Sequence, residues 1–114
     1  DVKRYLVEGL EQVKVGSPLD FRNFMGAVID ERAFDKISSY IEQAKQSPLA
    51  QIVFGGHFDK SKGYFIDPTV IEVADNQFLT MCEEIFGPVL TVYVYETEAF
   101  EEALYLVDNT SPYA

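Results

Sequence analysis

The spacing of apolar residues predicts three amphipathic helices. In residues 2–13 the apolar side chains recur every three or four positions, which favours a helix that ends before Gly16-Ser17-Pro18. A second helix is predicted over residues 31–46, with Asp30 as its N-cap because a carboxylate there can accept from free backbone N–H groups. A third is predicted after Thr97, in the position of a cap. The apolar positions that define these helices are Val2, Tyr5, Leu6, Leu10 and Val13, then Phe34, Ile37, Ile41 and Ala44, then Phe100, Leu104 and Val107.

Short runs rich in β-branched and aromatic residues predict the strands. Residues 89–95 give the clearest run, residues 52–54 a shorter one, and a further strand is expected to start near Thr69, after a proline. Residues 25–29 form a brief strand-like run before the second helix. Strand, helix and strand in succession indicate a parallel crossover. We therefore predict an α/β fold with a mostly parallel sheet and flanking helices, with residues 1–114 forming part of one domain.

The net charge of the chain narrows the classes of partner that it is expected to bind. The chain has 114 residues, 9 Lys and Arg against 19 Asp and Glu, and a formal net charge of −10. Binding to nucleic acid or to anionic membranes relies on clustered Lys and Arg, so we expect neither partner. Solubility alone is the simpler explanation of the acidity. One cysteine allows no internal disulfide, which favours an intracellular location.

Cys82 and His57 invite a nucleophile and base, yet the neighbouring residues argue against it. Glu83 and Glu84 follow the cysteine directly, and nearby carboxylates disfavour the thiolate that a nucleophile needs. We interpret Cys82 as structural and His57 as a solvent-facing turn residue. The spacing of His, Cys, Asp and Glu matches no metal-binding motif. We therefore expect neither a catalytic residue nor a metal site in this chain.

Four residues before the last strand could form one wall of a ligand site. Glu84 can accept two hydrogen bonds from a vicinal diol, and Phe86 can pack on a flat heterocycle or a sugar. Gly87 removes side-chain bulk and Pro88 fixes the backbone, so the segment can approach a ligand closely. From the residues alone, a turn that simply ends a helix explains the pattern equally well.

The same segment carries a family resemblance. Residues 83–89 read E-E-I-F-G-P-V, which resembles the E-E-x-F-G-P-V segment of the aldehyde dehydrogenase superfamily. Other matches follow the family order along nearly the whole chain: V-G-S-P at 15–18, G-A-V-I-D at 26–30, G-G at 55–56, G-Y-F-I-D-P-T-V at 63–70 and N-T-S-P-Y-A at 109–114. Residues 23–30, 90–95 and 106–108 are similar to a narrower group, the Δ1-pyrroline-5-carboxylate dehydrogenases.

The resemblance implies a function and a role for each wall residue. The parent enzyme would oxidise glutamate γ-semialdehyde, a small-molecule aldehyde, to glutamate in proline breakdown. Its cofactor would be NAD, with NADP left open because the residues that distinguish them lie outside this chain. Glu84 would accept hydrogen bonds from the nicotinamide ribose, Phe86 would pack beside the ribose and nicotinamide, and Gly87 and Pro88 would shape the wall. The catalytic cysteine and the general-base glutamate of the family would precede residue 1.

We therefore expect this chain to be an internal fragment that is inactive alone and binds NAD weakly at best. We expect the parent to be a homo-oligomer, in the cytoplasm of a bacterium or the mitochondrial matrix of a eukaryote. The isolated chain should self-associate through apolar surface left uncovered. The alternatives are a non-catalytic interaction module that shares this fold segment, and a dehydrogenase for another aldehyde.

Overall fold

The structure is a computed structural model, and it describes residues 2–110. Within this range the chain forms four α-helices, one 3-10 turn and five strands. Their bounds are α1 Val2–Leu10, α2 Glu31–Gln46, β1 Ala50–Phe54, β2 Phe58–Asp59, β3 Phe65–Ile66, β4 Thr69–Val73, α3 Leu79–Cys82, β5 Val89–Tyr93, the 3-10 turn Thr97–Ala99 and α4 Phe100–Asn109. The predicted α/β class is confirmed. The family motif at residues 109–114 extends beyond the described residues.

The main sheet has three strands in the order β1-β4-β5, and its strand directions are mixed. Strand β4 lies in the centre, antiparallel to β1 and parallel to β5. The prediction of a mostly parallel sheet is wrong, because β2 and β3 also pair antiparallel as a separate ribbon. The connection between β1 and β4 contains this ribbon instead of a helix, and antiparallel strands do not need a helical crossover.

The strand predicted at residues 25–29 is also wrong, and with it the parallel crossover. In this region Met25 forms only an isolated bridge with Val15, and the Val28 N–H donates to the carbonyl of Tyr64 at 2.9 Å. Ile29 is 91% exposed, so it does not pack as a core strand residue would. An apolar run forms a strand only where a neighbouring strand completes its hydrogen bonds, and in the described residues none does here.

Helix α2 matches its prediction, and Asp30 caps it by accepting from the Ala33 N–H at 2.7 Å. Helix α1 ends at Leu10, earlier than predicted, because the chain tightens into i→i+3 hydrogen bonds from Gln12 and Val13. The predicted cap at Thr97 is wrong, because Thr97 begins the 3-10 turn and α4 starts after Ala99 without a side-chain cap. None of the described helices has the length and apolar character needed to span a membrane.

Two groups of buried side chains join α2 to the rest of the molecule. The first contains Phe34, Ile37, Tyr40, Ile41, Ile66 and Ile85, and the second contains Ala44, Ile71, Val73 and Phe78. Ile85 is the member that comes from the segment between α3 and β5. That segment carries the predicted ligand wall, so the wall is packed directly on one face of α2.

Candidate functional site

The candidate site begins where α3 ends. Glu83 follows the helix with an extended backbone, φ −113° and ψ 137°, and its N–H closes the last turn by donating to the Leu79 carbonyl at 2.9 Å. An extended backbone points successive side chains to opposite sides. The short helix α3 is therefore followed by a segment in which successive side chains point to opposite sides.

The alternation separates the four residues 83–86 into an inner and an outer pair. The Glu83 carboxylate accepts a hydrogen bond from the Tyr40 hydroxyl of α2, and Ile85 is buried against the same helix. Glu84 and Phe86 form the outer pair; both are exposed, as is the tethered Glu83, but the described residues offer the Glu84 carboxylate no hydrogen-bond partner. The E-E-x-F spacing thus uses its first and third residues for anchoring and leaves the second and fourth available to a ligand.

Phe86 has two features that are unfavourable for this chain by itself: a left-handed backbone and an exposed ring. Its φ is 59°, a left-handed conformation that is strained for a residue with a bulky side chain. Its ring is 86% exposed, so the side chain gains little from burial within the described part of the chain. Such strain is concentrated at ligand sites in proteins, where the surrounding fold holds it in place.

Gly87 and Pro88 fasten the wall to α2 and to the sheet. A Cβ atom on Gly87 would lie 2.5 Å from Cδ1 of Ile37, so the backbone approaches α2 more closely than a side chain would allow. The Pro88 carbonyl accepts from the Thr69 N–H at 2.8 Å, at the start of β4. The parallel β4–β5 ladder begins one residue later, at the pair Thr69 and Val89.

The outer side of the wall borders an open groove of about 410 Å³. The residues that line it are Thr80, Met81, Glu83, Glu84, Ile85, Phe86, Gly87, Val89 and Thr91. Within residues 2–110 the Glu84 carboxylate has no hydrogen-bond or ion-pair partner, whereas its backbone carbonyl accepts from Lys36 Nζ at 3.2 Å. The Thr80 hydroxyl is buried and has no hydrogen-bond partner in the described structure. The groove therefore presents an available carboxylate beside an aromatic ring, which suits a ligand with a vicinal diol and a flat ring.

The structure brings the four predicted wall residues together in one continuous segment, and it adds Lys36 and Tyr40 from α2. The sequence pattern indicated neither residue as part of the site. Helical spacing places Tyr40 on the same face as Ile37 and Ala44, so its position on the buried side was accessible from the sequence. The hydrogen bond of Tyr40 with Glu83, 43 residues away, could not be predicted from the sequence.

Cys82 and His57 lie in different surroundings. Cys82 is partly buried, and its Sγ lies 3.9 Å from the Asn76 carbonyl oxygen, to which it can donate. His57 is exposed between β1 and β2. No cluster of three or more His, Cys, Asp or Glu within residues 2–110 is arranged to hold a metal ion.

Comparison with known families matches residues 1–114 to the family described as "Aldehyde dehydrogenase family". The chain belongs to the aldehyde dehydrogenase family. The resemblance to this family that was seen in the sequence is thereby confirmed.

Two kinds of relative support a narrower grouping. The chain is 52% identical over 113 residues to the mitochondrial Delta-1-pyrroline-5-carboxylate dehydrogenase of Dictyostelium discoideum, covering 99% of this chain and 20% of that protein. It superposes on the crystal structure of the Delta-pyrroline-5-carboxylate dehydrogenase from Mycobacterium tuberculosis with a TM-score of 0.88, at 38% identity, covering 97% of this chain and 20% of the other. The same enzyme bound with NAD gives a TM-score of 0.85, covering 97% of this chain and 19% of the other. The chain thus spans about a fifth of the length of these relatives.

Proposed function

We propose that this aldehyde dehydrogenase segment belongs to a longer NAD-dependent enzyme that oxidises glutamate γ-semialdehyde, the open form of Δ1-pyrroline-5-carboxylate, to glutamate. The observation that carries the proposal is the outer side of the wall, where the available Glu84 carboxylate lies two residues from the outward-facing ring of Phe86. The names of the relatives support the substrate, and the relative bound with NAD supports the cofactor.

Each wall residue has a proposed part in holding the cofactor. Glu84 accepts hydrogen bonds from the two hydroxyls of the nicotinamide ribose, which a carboxylate that has no other partner within residues 2–110 can do. Phe86 packs beside the ribose and the nicotinamide and limits where the ring can lie. Gly87 and Pro88 keep this pair at a fixed distance from α2 and β4.

The nicotinamide supplies the hydride acceptor when NAD is bound. This chain contributes orientation, because hydride transfer requires the reacting atoms to be held close together. The nucleophile and the base are proposed to lie in other parts of the parent enzyme. We accordingly expect the 114-residue chain to show no turnover with any aldehyde, and measurable oxidation by the purified chain would contradict this.

Substitution of the wall in the full-length enzyme tests the cofactor proposal. Hydrogen bonds to a charged group contribute about 1.5–3 kcal/mol, so Glu84→Gln should raise the dissociation constant for NAD by roughly ten- to a hundredfold. Phe86→Ala should also weaken NAD binding, while KM for the aldehyde changes less. Glu101→Gln, an exposed carboxylate on α4, is the matched control. NAD affinity of Glu84→Gln within twofold of the unsubstituted enzyme would refute the proposed role.

Kinetics with different aldehydes test the substrate proposal. We expect kcat/KM of the full-length enzyme to be highest for glutamate γ-semialdehyde among aliphatic aldehydes of similar length. A higher value for an aldehyde without an amino-acid end would instead identify a dehydrogenase for that other aldehyde.

The exposed apolar surface supports a larger assembly. Four large side chains between α1 and α2 are nearly fully exposed: Leu19 91%, Phe21 98%, Phe24 81% and Ile29 91%. We propose that the rest of the parent enzyme covers such residues, that the parent is a homo-oligomer, and that the isolated chain self-associates. Light scattering on both proteins tests this, and a monomer of the isolated chain would contradict it. For a eukaryotic parent we propose the mitochondrial matrix, and the name of the Dictyostelium relative, which says that it is mitochondrial, supports this organelle.

A further inference from the structure

We infer that Tyr40 is a positioning residue for Glu84, and that it acts through Glu83. This inference rests on the proposed role of Glu84 in binding the nicotinamide ribose. It assigns a function to a hydrogen bond between α2 and the wall, and to the first of the two consecutive glutamates.

The Tyr40 ring provides a rigid support. It is 7% exposed and packs among Ile37, Ile41 and Ile85 in the first core group. Packing of this kind holds a side chain in one rotamer. The hydroxyl at the end of the ring donates to Oε2 of Glu83. A buried aromatic side chain with a fixed hydroxyl therefore determines where the Glu83 carboxylate lies.

The position of Glu83 determines the direction of Glu84. The backbone at Glu83 is extended, so the side chain of the next residue points to the opposite side. With the Glu83 carboxylate held against α2, the extended backbone favours the opposite side for the Glu84 side chain, and both residues line the groove. If Glu83 were released and the segment rotated, the two carboxylates could exchange sides.

A second contact from α2 limits that rotation at the neighbouring peptide. Lys36 Nζ donates to the Glu84 carbonyl at 3.2 Å, one helical turn before Tyr40. Ile85 then returns to the core. The Glu84 backbone is thus held on one side by Tyr40 through Glu83 and on the other by Lys36 and Ile85. Its carboxylate loses little further freedom when it binds a diol, and such preorganisation increases affinity.

The two glutamates therefore have different functions despite identical chemistry. Glu83 also carries a charge on the border of the groove, and the hydrogen bond to Tyr40 occupies one of its oxygens. This reduces the competition between Glu83 and Glu84 for the same ligand hydroxyls. Loss of the tether is therefore expected to weaken cofactor binding through Glu84, although Tyr40 is buried and does not line the groove.

The test uses the full-length apoenzyme and holoenzyme. Tyr40→Phe and Glu83→Ala should each raise the NAD dissociation constant by roughly three- to tenfold, the effect of one lost hydrogen bond. Glu83→Gln should lose less than Glu83→Ala, since its amide oxygen can still accept from Tyr40. The double variant Tyr40→Phe with Glu83→Ala should be no worse than the weaker-binding single variant, because both remove the same bond.

Hydrogen exchange of the apoenzyme gives a readout that does not depend on activity. Amide exchange over residues 84–87 should speed up in Tyr40→Phe and Glu83→Ala and less in Glu83→Gln. Tyr64→Phe is the matched control, because Tyr64 packs against the same core group and its hydroxyl has no hydrogen bond within residues 2–110. Since Tyr40 is buried and its variant could fold poorly, the exposed Glu83→Ala change keeps the test decisive.

The outcomes separate this inference from the proposed function. If Glu84→Gln weakens NAD binding but Glu83→Ala changes neither affinity nor exchange, the positioning role is wrong and the proposed function stands. If Glu84→Gln leaves NAD affinity unchanged, the proposed cofactor role of Glu84 fails and the positioning inference fails with it. Faster exchange and weaker NAD binding in both tether variants, with Tyr64→Phe unchanged, support both.

Discussion

Gly87 lies against Ile37 so closely that a Cβ atom at residue 87 would be 2.5 Å from Cδ1 and 3.0 Å from Cγ1 of Ile37. Ile37 is 1% exposed and has little room to move. We predict that Gly87→Ala lowers the free energy of unfolding of the chain by about 1–3 kcal/mol, the usual cost of overpacking. Ile37→Val removes the Cδ1 atom, so the double variant should be more stable than the sum of the two single effects predicts. Urea denaturation measures all four proteins, and simple additivity would contradict the contact.

Glycine normally destabilises a folded chain relative to alanine. At position 86, where the backbone is strained, we expect glycine to be the more stable of the two. Phe86 has φ 59° and its ring is mostly exposed, so truncating the side chain removes little packing in this chain. Phe86→Gly should be more stable than Phe86→Ala by about 1 kcal/mol, because glycine adopts positive φ without a steric penalty. Denaturation midpoints of the two variants check this. Equal stability would show that alanine carries no strain at this position.

Two glycines outside the wall should respond in opposite directions to alanine. A Cβ on Gly55 would lie 2.0 Å from the Pro68 carbonyl oxygen, and its φ is +72°, so Gly55→Ala should destabilise the chain by about 3 kcal/mol. Gly9 lies within α1, and apart from its chain neighbours and the nearby backbone of the helix no atom would lie within 4 Å of a Cβ, so Gly9→Ala should stabilise by roughly 0.5–1 kcal/mol. Thermal unfolding of both variants tests the pair, and a loss of stability for Gly9→Ala would contradict the helix at that residue.

Lys60 joins the β2–β3 connection to α2. Its ammonium group donates to Asp35 and Glu31, both at 3.1 Å, and these hydrogen bonds raise the pKa of Lys60 above its ordinary value. Because the pKa is higher in the folded state, the stabilisation is fully present below the ordinary lysine pKa of about 10.4 and is lost as the pH rises through the higher folded value.

An NMR titration of the Lys60 side chain tests the raised pKa. We expect its midpoint to fall in the Asp35→Asn, Glu31→Gln double variant, and to fall in the unsubstituted chain at 1 M salt, because the group is exposed and its charges are screened. A midpoint that neither change affects would show that these ion pairs do not persist in solution.

Local sequence features determined most of the elements and the content of the wall. Helix α2 followed from the spacing of its apolar residues and the Asp30 cap, and β4 and β5 from runs of β-branched residues after a proline. Glu84, Phe86, Gly87 and Pro88 were predicted to form a ligand wall because they are adjacent; Glu84, Phe86 and Gly87 line a groove, and their binding of a ligand stays a prediction. Features of this kind depend on residues only a few positions apart, so a local sequence pattern can predict them.

Tertiary structure alone decided the strand directions and the support of the wall. Residues 25–29 and β1 are similar short apolar runs, yet only β1 finds a neighbour, β4, that completes its hydrogen bonds. Tyr40 contacts Glu83 across 43 residues, and the left-handed Phe86 lies between Ile85, which is buried in the first core group, and Gly87, which packs against Ile37. Such pairings depend on which surfaces the folding of the whole chain brings together. Periodicity determines which face of an element is buried, whereas its partner and orientation are set by competition among all the elements in three dimensions.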